Sequence, residues 1–259
     1  MTWAVPESVD PKQAVTMPVG LQTAADALFN IFGFGLPAAG IDGRSAAGVP
    51  LLIWGGSSMV GLSTIQLAKL AGFDPIFTTA SGRNHDVLRR LGATACFDYN
   101  SEAVVQEVRE AVKRSGKKLT TVVDAVSAGL GVFEPSSERG PPDVALSTPS
   151  LAKQCCSEVK PGEDELRLSS VLPVAHDPDW KFCLGARAYG ETGLFGDPQD
   201  PSYPERVENF MAWYVPHHGK SWETPNITVV HGVDETIRQM YRVFEGKVSM
   251  EKVVVAHPL

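Results

Sequence analysis

Short apolar runs alternate with stretches whose apolar residues recur every three or four positions, and this alternation fills the first half of the chain. Leu51-Leu52-Ile53-Trp54 has no polar position, which suits a strand buried on both faces. Leu62 to Leu70 follows as a helix, and Gly72 beyond it suits a helix C-terminus. The pair then repeats. A strand from Pro75 to Thr79 precedes a helix from Asn84 to Leu91, closed by Gly92. A strand from Ala95 to Asp98 precedes a helix from Glu102 to Arg114, with Ser101 placed to cap it and Gly116 past its end. Thr121 to Asp124 is a fourth strand. Ahead of them all, Asp10 to Phe34 reads as a helix with a loop entry, punctuated by Pro18 and Gly20, with Leu21, Ala24, Ala25, Leu28 and Phe29 on one face. Strands alternating with helices predict an α/β domain: a doubly wound parallel sheet with helices on both faces. Right-handed crossovers put the strand C-terminal ends along one edge, where ligands bind.

The second half is less regular. Ser147 or Thr148 caps a helix through Val159, ended by Pro161-Gly162. Arg167 to Leu172 and Lys181 to Tyr189 read as strands, Glu205 to Tyr214 as a helix, and Ile227 to Val230 as a strand. Val233 to Glu245 reads as a helix with Val233, Ile237, Met240, Tyr241 and Phe244 on one face, and Lys252 to Ala256 as a last strand. Ala128 to Leu146 is rich in Gly, Pro and Ser where a short connection belongs. It reads as a mobile surface insertion, as a lid over a ligand, or as a retained intron in the gene.

The turn Gly55-Gly56-Ser57-Ser58-Met59-Val60-Gly61 joins the first strand to its helix. A helix N-terminus offers unpaired N–H groups and the positive end of a dipole to a phosphate. Glycines let a pyrophosphate approach the backbone, and Ser57 and Ser58 add hydroxyl donors. The turn is not a strict G-x-G-x-x-G, and a glycine turn can be structural only; its place between an apolar strand and a helix favours a dinucleotide site. NAD binders hold the ribose with an acid about 20 residues further on. Here Thr79-Ala80-Ser81-Gly82-Arg83-Asn84 has none, and Arg83 supplies a forked cation beside Ser81 and Asn84. That suits the 2′-phosphate of NADP(H); the alternative is a solvated loop arginine. Tyr99 either packs against the adenosine end or is a half-buried tyrosine at a strand end.

Charge and composition narrow the field. A formal net charge of −7 with no basic run argues against nucleic acid and anionic membranes as partners. The start of the chain lacks the blocks of a signal peptide, and no apolar run approaches the about 20 residues of a membrane span, so a cytoplasmic protein is expected. Cys96, Cys155, Cys156 and Cys183 form no C-x-x-C pair and read as small buried hydrophobes, and no metal site is expected. His85, His176, His217, His218, His231 and His257 form no catalytic array, and no catalytic residue is assigned.

With these pieces in place, the chain resembles the medium-chain dehydrogenase/reductase superfamily, and within it the zinc-free fungal trans-acting enoyl reductases of polyketide biosynthesis. The residues that carry the resemblance are Pro18 to Ala24, Leu52 to Ser58, Thr79 to Asn84, Leu91-Gly92-Ala93, Phe97-Asp98-Tyr99, Ala188 to Glu191 and Gly246 to Val255. It implies a Rossmann fold over residues 1–259 as a single NADP(H)-binding domain. Contacts to NADPH would come from Ser57, Ser58, Met59 and Val60, from Ser81, Gly82, Arg83 and Asn84, from Tyr99, from Val171 and Leu172 near the nicotinamide, and from Val248 and Ser249. Substrate would lie near Gly20, Thr23, Tyr189 and Gly190. Tyr189 either donates a proton there or serves packing. Family members begin with a GroES-like barrel that walls the active site; this chain starts after it, with the leading helix 10–34, and the strand 252–256 would be its remnant. The resemblance implies a reductase of enoyl or related conjugated carbonyls, with a carrier-bound substrate and a polyketide synthase as partner. A redox-neutral step (isomerisation, cyclisation or elimination) and a nucleotide-binding partner module remain alternatives. Self-association is expected from apolar surface that the barrel would cover.

Overall fold

The computed structural model describes residues 4–131, 143–160, 165–193, 196, 198–217, 222–224 and 226–257. The central segment of the Gly/Pro-rich stretch, 132–142, lies outside the described residues, and with it the choice among its three readings.

The chain opens with α1 (Pro11–Ala14) and α2 (Pro18–Ala25), then a π-helical turn (Asp26–Ile31). The single leading helix expected over Asp10 to Phe34 is therefore three pieces. Pro18 has no N–H to continue a helix and starts a new one at its first turn. Then come β1 (Leu51–Trp54), α3 (Met59–Ala71), β2 (Ile76–Thr79), α4 (His85–Leu91), β3 (Ala95–Phe97), α5 (Val104–Ser115) and β4 (Thr121–Asp124). The second half holds α6 (Thr148–Gln154), β5 (Arg167–Ser170), β6 (Trp180–Phe182), α7 (Tyr203–Tyr214), β7 (Ile227–Val230), α8 (Val233–Phe244) and β8 (Lys252–Val255).

Six strands form one parallel sheet in the order β3-β2-β1-β4-β5-β6. The chain leaves β1 in one direction and returns at β4 on its other side, so the order switches between β1 and β4. A crevice opens at the C-terminal ends of strands at such a switch. Trp54 pairs with both Thr79 and Asp124, which brings the ends of β1, β2 and β4 level. Period-two geometry sorts the β1 side chains. Leu51 and Ile53 join the core layer of α2, α3, α4 and α7, while Leu52 and Trp54 join that of α5 and α6.

Differences from the sequence pattern lie at element ends. β6 stops at Phe182, short of Tyr189, because its partner β5 ends at Ser170, opposite Phe182. α6 stops at Gln154, short of Val159, so Cys155 caps the helix and Cys156 lies beyond it. α5 begins at Val104, yet Ser101 still serves its entry: its hydroxyl accepts from the Ala103 N–H at 3.2 Å and donates to Glu107 at 2.8 Å. β7 and β8 stand apart as their own parallel pair, joined through α8.

One buried ion pair ties the leading segment to the far edge of the sheet. Asp26 accepts from Arg187 Nε and Nη2, both at 2.7 Å, from the Leu184 N–H at 2.9 Å and from Asn30 Nδ2 at 2.8 Å. Both side chains of the pair are almost wholly enclosed.

Candidate dinucleotide cleft

The turn after β1 folds as it does because its neighbours fix it from three sides. Thr79 accepts the Gly55 N–H on its hydroxyl at 3.0 Å and the Gly56 N–H on its carbonyl at 2.9 Å. The Ser58 N–H returns to the Gly55 carbonyl at 3.0 Å. Ser58 caps α3: its hydroxyl accepts the Gly61 N–H at 3.0 Å and donates to the Ala125 carbonyl at 3.1 Å. Two glycines are obligatory here. Gly55 has φ +86°, and a Cβ on it would meet Val126 at 2.1 Å; a Cβ on Gly61 would lie 2.3 Å from the Gly55 carbonyl oxygen.

What this network leaves unused matters most. Among the described residues, the N–H groups of Ser57, Met59 and Val60 have no acceptor, while those of Gly55, Gly56, Ser58, Gly61 and Leu62 are all spent within the protein. Three free amides at the positive end of a 13-residue helix make an anion cradle. Ser57 and Met59 line a cavity of about 700 Å³, and Val60 follows Met59 behind its wall.

Along the cavity from these amides, Ser81 donates to the Tyr99 hydroxyl at 3.0 Å, and both line the wall. Arg83 lines it too, exposed and in no ion pair among the described residues. Gly82 is exposed. Asn84 is buried and donates through Nδ2 to Ser249 Oγ at 2.9 Å, so it holds the opposite wall in place. That wall is the stretch Val248 to Val253 with Val243 and Gly246. Met250, buried with φ +52°, plugs it into the core.

Val171 and Leu172 sit at the end of β5, half-buried and off the lining of this cavity. The Val171 N–H donates to the Asp124 carbonyl at 3.1 Å and the Leu172 N–H to Ser127 Oγ at 3.2 Å. Gly20 is a packing glycine: a Cβ on it would lie 3.1 Å from the Met59 backbone, so it seats α2 against the start of α3. Thr23 is buried, with its hydroxyl donating to the Val19 carbonyl at 2.7 Å. Tyr189 is exposed and its hydroxyl is held by the Glu208 carboxylate; the Gly190 carbonyl accepts from Gln199 Nε2 at 3.0 Å. Neither reaches the main cavity. The structure thus gathers Ser57, Ser58, Met59, Ser81, Arg83, Tyr99, Val248 and Ser249 around one space, with Val60 and Asn84 directly behind it, and leaves the four substrate candidates outside.

Other wall residues carry no sequence motif. Trp54, Thr79, Val126, Ala128 and Thr148 line the cavity through strand pairing and the turn after β4. Asp124 organises that turn. It is fully enclosed, accepts the Val126 and Ser127 N–H groups at 3.0 Å each, and takes the Thr148 hydroxyl at 2.6 Å. Burial raises its pKa above the ordinary carboxylate value, and these three bonds only partly oppose that. Asp98 lies at the end of β3, where Asn100 and the Gly82 N–H hold its pKa low. Burial pushes the Cys96 thiol up to about 11 and those of Cys155, Cys156 and Cys183 to about 12, which leaves them unreactive. Among the described residues no three His, Cys, Asp or Glu side chains group to hold a metal, and no helix is long and apolar enough to cross a membrane.

Residues 60–132 match the family model described as zinc-binding dehydrogenase. The dual trans-enoyl reductase/FAD-dependent monooxygenase tazHJ of Aspergillus terreus is 30% identical over 79% of the chain and 26% of its own length. The trans-enoyl reductase himH of Aspergillus japonicus is 28% identical over 97% of the chain and 64% of its own length. The chain is thus similar to zinc-binding dehydrogenases over residues 60–132 and to fungal trans-enoyl reductases over most of its length. The CurK enoyl reductase structure shares its fold, with a TM-score of 0.61 at 16% identity over 98% of this chain and 65% of that one. The chain spans between a quarter and two thirds of the length of these curated relatives. The likeness to zinc-binding dehydrogenases implies a nicotinamide cofactor.

Proposed function

We propose that the chain is the nucleotide-binding part of an NADPH-dependent enoyl reductase, acting on a polyketide or related conjugated carbonyl carried as a thioester. One observation carries the reading: three unpaired amides (Ser57, Met59, Val60) and the unpaired Arg83 guanidinium line or back the same 700 Å³ cavity. The amides fit a pyrophosphate, and the guanidinium fits a 2′-phosphate beside the Ser81 and Tyr99 hydroxyls. Bound there, the cofactor supplies a hydride. The protein's own part is to grip both phosphate groups, to stack Tyr99 near the adenosine, and to hold the second wall through Asn84 and Ser249. Fungal relatives that are trans-enoyl reductases support the substrate class, and with it a polyketide synthase as partner.

The test is a fluorescence titration with NADPH and NADH, followed by NADPH consumption with an enoyl thioester. NADPH is expected to bind more tightly than NADH. Arg83→Ala is expected to weaken NADPH by roughly 10- to 100-fold, as loss of a charge-assisted bond does, and to leave NADH nearly unchanged. Equal losses for both would remove the 2′-phosphate assignment. Binding without consumption across several acceptors would shift the reading to a redox-neutral step or a partner module.

A further inference from the structure

Ser127 is held in a conformation that serine avoids. Its φ is +52°, in the left-handed region, where a side chain costs free energy and glycine does not. Such strain persists only where the surroundings impose it, and it concentrates at functional sites. Ser127 lies in the turn after β4. Val126 and Ala128 on either side of it line the cavity, while Ser127 is buried and off that lining. The left-handed turn carries its side chain to the β5 side, where Oγ accepts the Leu172 N–H at 3.2 Å. Its own N–H is fixed by Asp124 at 3.0 Å. Just upstream, the Ala125 carbonyl accepts the Ser58 hydroxyl that caps α3. The turn is thus tied to the glycine turn on one side and to the end of β5 on the other. A glycine would take the same φ without strain, so the hydroxyl is what serine adds at this place.

We propose that Ser127 is a positioning residue for the nicotinamide half of the bound dinucleotide, holding the wall after β4 against the end of β5. The proposal rests on the reading of the cleft as an NADPH site. Arg83 and Tyr99 follow β2 and β3, on one side of the glycine turn, and β4 and β5 lie on the other. A dinucleotide with its adenosine at Arg83 and its pyrophosphate at the free amides therefore runs on towards the ends of β4 and β5. Val126 and Ala128 meet that half directly. Val171 and Leu172, which do not line the cavity, act on it through the bond from Leu172 to Ser127. A wall fixed from behind by hydrogen bonds is already ordered before the ligand arrives, so less binding energy goes into ordering it. Arg83 and Tyr99 sit two and three strands away from β4, beyond the reach of this bond.

Paired titrations of the whole chain test it, one with NADPH and one with adenosine 2′,5′-bisphosphate, which has the adenosine half alone. Ser127→Gly deletes the hydroxyl and relieves the strain; Ser127→Ala deletes the hydroxyl and keeps the strain. Both are expected to weaken NADPH by roughly 3- to 10-fold, as loss of one hydrogen bond does, and to leave the bisphosphate unchanged. In urea, Ser127→Gly is expected to be the more stable of the two. A loss of NADPH affinity shared by both then follows the hydroxyl and not the stability of the fold. Unchanged NADPH affinity in both variants, a loss confined to Ser127→Ala, or an equal loss for the bisphosphate would each overturn the proposal and leave the NADPH site standing. A wild type that binds neither ligand would overturn the NADPH reading, and this proposal with it.

Discussion

The six-stranded body and the β7–α8–β8 unit are built from the same parts, strands and an amphipathic helix, with opposite results. In the body, α2, α3 and α7 put their apolar faces on the sheet, and Ile53, Leu28, Phe210 and Tyr214 are enclosed. In the unit, β8 is only half-buried and the apolar stripe of α8 faces outward. The difference lies in what is available to cover each face. A six-stranded sheet offers an apolar layer on both sides; a two-stranded pair offers a narrow strip, and such pairs are rarely stable alone. Here the segments flanking the pair are tied to the body by polar bonds (Gln66 to the backbone of Glu223, Asn84 to Ser249, and the Thr16 and Thr224 hydroxyls at 3.1 Å) and by Trp222 and Met250, which reach its core.

Ion pairs give the widest separation between the two regions. Asp26→Ala strips enclosed Arg187 of both its carboxylate bonds, and is expected to cost about 3–5 kcal/mol in urea unfolding. Arg242→Ala removes the half-buried pair with Glu251, in which the guanidinium still meets water, and is expected to cost about 1 kcal/mol or less. If the two variants unfold alike, the body is not the stable part. Apolar truncation sharpens the same contrast. Ile53→Ala opens a cavity in the closed layer and is expected to cost about 2–5 kcal/mol. Ile237→Ala, at the same chemistry on the outward stripe, is expected to stay within about 0.5 kcal/mol for the monomer.

The contrast also explains what the sequence could carry. β1, the glycine turn and most of α3 are legible because burial on both faces and φ-positive glycine each leave a local mark, and Gly72 ends α3 as its type announces; Ser58 departs from its expected role, since its hydroxyl goes to the Ala125 carbonyl and caps a helix that starts at Met59, one turn before Leu62. Arg83 and Tyr99 were legible as polar residues just past strand ends. The four substrate candidates were named by resemblance alone, and Gly20 illustrates why that is a weaker warrant: a glycine required for close helix packing looks the same in sequence as one required by a ligand. Asn84 was named as a contact, but its link to Ser249 spans 165 residues and leaves no local trace. The outward turn of α8 was invisible for a related reason. Periodicity gives the stripe and its residues, while the direction in which the stripe faces is decided by what else the chain has to pack there.

Asp124 offers the last, and smallest, way to probe the body. It is enclosed at the end of β4 with three donors and no cation, and its pKa is raised in the folded state. A raised acid binds its proton more tightly when folded than when unfolded. Its contribution to stability is therefore fully present below the unfolded aspartate value and is lost as pH climbs through that value to the raised folded one, staying flat above it. Asp124→Asn has no proton to lose, so the difference in unfolding free energy between variant and wild type should rise in the variant's favour across that window and then level off. A series of urea titrations from acid to neutral pH measures it. The Asn amide still accepts the Val126 and Ser127 N–H groups, so the turn that bears Val126 and Ala128 persists and nucleotide affinity is expected to change little. A difference curve that falls instead of rising would mean that the three donors outweigh burial and that the carboxylate is held ionised inside the protein.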